Sequence, residues 1–211
     1  MFAVIFEVHP KPERWDDYLS NAKLLTPELE KIDGFIANQR YKSRRREGWL
    51  VSLSLWRDEK ALIRWRTLAL HHEVQAKGRA EIFADYHLRV GEIIADTGAA
   101  PGTALVQQRL DETAVGAGKV ATVTERPLDP AAAQPGAADF GGTAQPLESD
   151  TFESITRPGQ GLILGFWADR AAACAGIDGA PGRHRTVRVI RDYGMFARTE
   201  APQYHPAVAA V

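Results

Sequence analysis

Residues Tyr41 to Glu59 read YKSRRREGWLVSLSLWRDE, and residues Phe152 to Arg170 read FESITRPGQGLILGFWADR. The two stretches align without a gap, with identity at Ser43/Ser154, Arg46/Arg157, Gly48/Gly159, Leu53/Leu164, Trp56/Trp167 and Asp58/Asp169. Further along, Gly78-Arg79 and Asp85-Tyr86 find counterparts in Gly182-Arg183 and Asp192-Tyr193. A repeat of about 100 residues points to two copies of one small fold packed against each other. It divides the chain into units spanning 1–97 and 118–200.

Working outward from the first copy, Phe2 to His9 alternates and is rich in Val, Ile and Phe, so it reads as a strand ended by Pro10 and Pro12. From Glu13 to Ile32 apolar residues recur every three or four positions, the spacing of one helix face, and Gly34 closes that helix. Phe35 to Ser43 and Trp49 to Trp56 are the next strands, joined by a turn at Arg46-Glu47-Gly48. Asp58 N-caps a second helix that breaks before His71 and resumes through Gln75. Ile82 to Ile94 holds a fourth strand. The order is β-α-β-β-α-β, the ferredoxin-like arrangement.

Ala95 to Gly118 is a connector whose middle, Thr103 to Arg109, suits a short strand. The second copy keeps strands at Lys119 to Thr124, Phe152 to Arg157, Gly161 to Trp167 and Thr186 to Ala197, and a short helix at Asp169 to Gly176. Pro127 to Ser149 is rich in Ala, Pro and Gly and lacks the periodicity of the first helix, so it reads as a long loop. The tail from Pro202 is apolar and suits a place across the barrel or against a partner, which admits a homodimer of the fused pairs. In Trp49–Trp56 one face carries Trp49, Val51, Leu53 and Leu55, while the other mixes Leu50, Ser52, Ser54 and Trp56. A sheet with helices on one side needs cover on the other, and a linked second copy supplies it at high effective concentration. The expected fold is therefore α+β: two ferredoxin-like units forming an intrachain pseudo-dimeric α+β barrel, the second unit degenerate, with a cavity between sheet and helices.

Composition narrows the function classes. The chain has 211 residues, 25% of them charged, with a formal net charge of -1, so no global attraction to nucleic acid or acidic membranes is expected. No run of about 18 apolar residues exists, and the N-terminus reads as a strand rather than a leader, which points to the cytoplasm. Arg44-Arg45-Arg46 reads as a solvated turn, with anion binding as the alternative. The single Cys174 lies in an alanine run and reads as a small buried hydrophobe. No metal-ligand spacing, nucleophile elbow, Walker motif or dinucleotide fingerprint is present.

The series Trp56-Arg57-Asp58-Glu59, Trp65-Arg66, His71, Gln75, Gly78-Arg79, Tyr86 and Arg89-Val90 resembles the antibiotic biosynthesis monooxygenase superfamily. The likeness covers about residues 1–95 well and the second half weakly. It implies either a cofactor-independent monooxygenase acting with dioxygen on a small aromatic, phenolic or quinol substrate, or a non-catalytic ligand-binding or stress-related barrel. In the haem-degrading branch a Trp on the second helix is followed ten positions later by an axial His, with an Asn in the first strand. Trp65 matches, but Gln75 stands at the ligand position and Glu7 or Phe6 at the Asn, so haem would need His71 or His72 as a shifted ligand. For the cofactor-independent branch, His71 suits the general base, titrating near neutrality. Arg79 or Arg89 suits the anion anchor, and Trp65, Gln75 and Tyr86 the substrate-binding wall. Each has a structural counter-reading. Trp65 fits a helix core, His71 a structural hydrogen bond, and Arg79 an ion pair with Glu81 or Asp85. Tyr86 recurs as Tyr193, which suits packing. A cavity touching His71 and an arginine separates the enzyme from the inert barrel.

Overall fold

The computed structural model describes residues 1–128, 140, 144–206 and 208. In the first unit, strand β1 (Phe2–Pro10) leads through a 3-10 turn (Pro12–Arg14) into helix α1 (Trp15–Glu30). Strands β2 (Phe35–Ser43) and β3 (Leu50–Trp56) follow. Helix α2 (Glu59–Thr67) and helix α3 (Ala69–Lys77) are separated by Leu68, and a π turn (Gly78–Ile82) opens strand β4 (Phe83–Asp96). The second unit has strands β5 (Val120–Pro127), β6 (Glu148–Ser154) and β7 (Gln160–Trp167), helix α4 (Arg170–Ile177) and strand β8 (Arg183–Gly194). The sequence repeat is repeated in local geometry. Gly48 and Gly159 carry φ of 75° and 80°, the left-handed turn that a side chain resists. Asp58 and Asp169 each accept the N–H of the third residue on, Ala61 and Ala172, at 2.8 Å, capping α2 and α4 alike.

All eight strands join in one closed antiparallel barrel, ordered β1-β3-β2-β6-β7-β5-β8-β4. The halves meet edge to edge through backbone hydrogen bonds, β2 on β6 and β4 on β8, so no unit keeps an open edge. Alternation decides what faces inward. Val51, Leu53 and Leu55 join Phe152, Leu162 and Leu164 in the barrel core, while Ser52 and Ser54 face the helices. Arg46 is no solvated turn residue. It reaches Glu7 in its own unit and Asp150 (2.7 Å) in the other, and its guanidinium lies 4.7 Å from the Trp49 ring.

Pairing registers correct part of the repeat. Phe2 and Val120 stand opposite Trp56 and Trp167, and opposite Glu92 and Arg188 on the other side. Counting along these registers, the equivalent of Tyr86 is Gly182, and that of Arg89 is Arg185. Tyr193 instead lies at the far end of β8, paired with Leu88. The likeness of Asp85-Tyr86 to Asp192-Tyr193 is therefore not structural equivalence, although Tyr86 does pack near the start of β4, against Phe6 and Phe83. Two other expectations change. Thr103 to Arg109 forms no strand; its backbone is tied instead by Gln108 N–H to the Glu92 carboxylate. Cys174 is exposed, because α4 turns its Ala173 and Gly176 inward. The loop expected at Pro127 to Ser149 lies largely outside the described residues.

Candidate active site

A cavity of about 210 Å³ lies in the first unit, between the strands and helices α1, α2 and α3. Its floor is the mixed face of the sheet, with Val4, Ser52, Ser54, Leu88 and Val90. The break between α2 and α3 builds its chemical centre. Leu68 is extended (ψ 127°) and closes α2 with its N–H on the Trp65 carbonyl at 3.2 Å. His71 adds a second bond to that carbonyl. Its Nδ1 donates to the Trp65 carbonyl at 2.9 Å, and the rings stack with centroids 4.0 Å apart. That bond fixes the neutral tautomer with the Nε2 lone pair turned to the Gln75 amide, 3.5 Å away. Burial pushes His71 down to about 4, against a smaller opposite effect of the Trp65 carbonyl. The expectation that His71 titrates near neutrality is thus corrected. It stays neutral at physiological pH and is a weaker base than free imidazole.

The π turn throws Arg79 inward. Gly78 permits it, since a Cβ there would lie 2.6 Å from the Phe83 ring. Arg79 is buried without a carboxylate among the described residues. Its Nη1 donates to the Tyr86 hydroxyl at 2.7 Å and the Met195 carbonyl at 3.0 Å. The Tyr86 oxygen also accepts from Arg198 at 2.7 Å, so two guanidinium groups converge on one phenol. His71, Arg79, Trp65, Gln75 and Tyr86 therefore share one cavity.

Arg89 does not join them, which corrects its expected substrate role. It sits inside the barrel, bonded to Glu7 (2.9 Å), Asp192 (3.1 Å) and Glu148 (2.8 Å). Its equivalent Arg185 pairs with Glu125 and Asp96, the equivalents of Glu7 and Asp192, so the cluster belongs to the barrel's pseudo-twofold frame.

Residues that the sequence did not single out come from the second unit. Arg191, Tyr193 and Arg198 form a wall of the cavity, and Pro202, Gln203 and His205 of the tail cover it. Gln203 donates to the Arg66 carbonyl at 3.0 Å, and His205 stacks on His72 at 5.3 Å. Burial raises Tyr193 to about 12, opposed by Arg66, Arg198 and Arg191. The lining holds five arginines (40, 66, 79, 191 and 198) against one carboxylate, Glu59, which Arg109 already engages at 2.8 Å. Of the two histidines considered as shifted haem ligands, His72 is exposed and stacks on His205. His71 has one ring nitrogen bonded to a carbonyl, the other against Gln75, and its face against Trp65. Among the described residues no group of three His, Cys, Asp or Glu is placed to hold a metal, and no helix is long and apolar enough to cross a membrane.

Residues 1–77 match the family model described as antibiotic biosynthesis monooxygenase. A Pyricularia oryzae protein named jasmonate monooxygenase is 44% identical over 215 residues, covering 98% of this chain and 99% of that protein. A solved antibiotic biosynthesis monooxygenase is 19% identical, covers 45% of this chain and all of its own, and superposes with a TM-score of 0.41. A solved Lactobacillus acidophilus protein is 10% identical over 90% of this chain and 94% of its own, with a TM-score of 0.42.

Proposed function

This chain belongs to the antibiotic biosynthesis monooxygenase family, and on that premise we propose that it oxygenates a small, largely apolar organic acid of the jasmonate kind. One observation carries the substrate class: the cavity joins a floor with Val4, Leu88 and Val90 to five arginines that form no ion pair among the described residues. The whole-length relative is named for such an acid. Inserting one oxygen atom into a saturated position reduces the other to water, so this reading requires two electrons from an added reductant.

A second reading is a phenol or quinol oxidised without any cofactor, where the substrate itself supplies the electrons. His71 favours it, because a neutral imidazole with its lone pair in a dry pocket is a proton acceptor. Gln75 suits both protonation states. Its Oε1 is buried without a partner, and rotating the amide would offer that oxygen to a protonated Nε2. Arg79 and the Tyr86 hydroxyl would face the resulting anion.

The test is turnover under ¹⁸O₂ with jasmonic acid and with a quinol and anthrone panel, each with and without ascorbate. The acid is expected to gain one labelled oxygen only with reductant. The phenol reading predicts labelled product without it, and a loss of about two orders of magnitude in His71→Ala. No label in any product would reject both readings.

A further inference from the structure

We propose that Arg66 and Arg191 together form a carboxylate anchor in this cavity, so that the second unit completes the binding site of the first. The proposal rests on the monooxygenase reading only for which acid is bound. The five lining arginines are not equivalent. Arg79 and Arg198 have their Nη donors on the Tyr86 hydroxyl and on backbone carbonyls. Arg40, on β2, bonds Tyr18. The Nε atoms of Arg40 and Arg79 are buried without a partner, so the distinction lies in the terminal donors. Arg66 and Arg191 have no ion pair among the described residues, and the Arg66 Nε is buried with no hydrogen-bond partner. Both line the cavity and act electrostatically on the Tyr193 hydroxyl, as Arg198 does; Arg191 also acts on the Asp111 carboxylate, which is itself paired with Arg109. A guanidinium fork withdrawn from water without an anion is costly, and a carboxylate is the partner its planar donors match.

The backbone shows how Arg191 comes to face this cavity. Along β8, Val187 and Val189 point into the barrel, and strict alternation would send residue 191 inward too. The pairing with β4 shifts register there: Val90 faces Arg191 while Gly91 faces Val189, leaving Ile190 as an extra residue. A bulge places two consecutive side chains on one side of the sheet. Ile190 packs under the helices, Arg191 and Tyr193 line the cavity, and Asp192 turns inward to Arg89. The equivalent bulge in β4 has Ile94 as its extra residue, with the next pairing between Ala95 and Thr186. Ala95 thus stands where Arg191 stands in β8. The second unit has no matching need. In the repeat alignment Gly176 and Ile177 replace Trp65 and Arg66, and Phe140 packs on Trp167 at 5.6 Å on the helix side of its sheet. Of the second unit's strands, β8 alone contributes described residues to the lining of this cavity, and the arginine stands on it.

The test compares jasmonic acid with its methyl ester, which keeps the shape and removes the charge. Binding is measured by calorimetry without oxygen, on wild type, R66Q, R191Q and R191K. The acid should bind wild type more tightly than the ester. R66Q and R191Q should each weaken the acid roughly 10- to 100-fold, the scale of a charge-assisted hydrogen bond, and leave the ester within about threefold. R191K should fall between, since it keeps the charge and loses the fork. Wild type that binds acid no tighter than ester, or variants that weaken both alike, would overturn the anchor. Charge discrimination without labelled product would reject the monooxygenase reading and leave the anchor standing. Labelled product with unchanged acid affinity in R191Q would do the reverse.

Discussion

His71→Asn should flatten the acid limb of the stability curve. The asparagine amide can still donate to the Trp65 carbonyl, so the helix junction keeps its bond while the titrating group goes. In the folded protein His71 sits at about 4, chiefly through burial, against an ordinary value near 6.5. The unfolded chain therefore binds a proton that the folded chain refuses. This linkage leaves full stability above pH 6.5 and removes it as pH falls towards 4, by about 3 kcal/mol in all and about 2 kcal/mol by pH 5. Carboxylates held low, such as Asp96 and Asp192, lose their contributions further down, below the ordinary aspartate value. His205 is also held low, mainly by burial, but it is present in both proteins and cancels in the difference. Urea unfolding of wild type and variant from pH 7 to 5 gives that difference directly. The two should converge as pH falls, whatever the variant costs at pH 7. Parallel curves would mean that His71 is hydrated in solution, and the dry, neutral base would fail with them.

Asp58→Ala and Asp169→Ala remove caps of identical geometry, and each should cost about 1 kcal/mol in urea unfolding. Only Asp58→Ala should also weaken ligand binding, because α2 carries Trp65 and Arg66, which line the cavity, and no residue of α4 does. Arg89→Gln leaves Glu7 to Arg46 alone and Asp192 to His87, and should destabilise by up to roughly 3–5 kcal/mol, a loss that thermal melting would register.

Local rules exposed the elements, and long-range pairing decided the rest. The repeated Gly48/Gly159 turns and Asp58/Asp169 caps were legible because each depends on a few neighbouring residues. The helix break before His71 was legible for the same reason. Closure into one barrel followed from an apolar strand face that needed cover. Arg89 was misread because its partners lie on three strands, two of them in the other unit. Tyr86 and Tyr193 shared a dipeptide but not a register, and only the β4–β8 pairing separates them. Arg191 was invisible for a subtler reason. Simple alternation puts it inside the barrel, and the bulge that turns it outward depends on Gly91, where a Cβ would lie 2.4 Å from the Arg188 carbonyl oxygen.

Fusion allows the two units to differ. In a symmetric dimer every substitution occurs twice, so a residue placed to wall the neighbour's cavity also alters its own surroundings at the equivalent point. A tandem chain is free of that constraint. Trp56 and Trp167 show how far the halves have parted from a common start. Both are buried and both donate from the indole nitrogen at 2.9 Å, to Ser54 on the same strand in one case and to Thr122 on the neighbouring strand in the other. Trp56 itself is packed by Leu29, Ala61 and Leu62, and the ligand-sized space lies further along the sheet, over Ser52 and Ser54. Around Trp167, Gly176 lets α4 close onto the indole, its added Cβ lying 2.0 Å from the ring. The second unit packs α4 on its own sheet, while its last strand and the tail wall the first unit's cavity through Arg191, Tyr193 and Arg198.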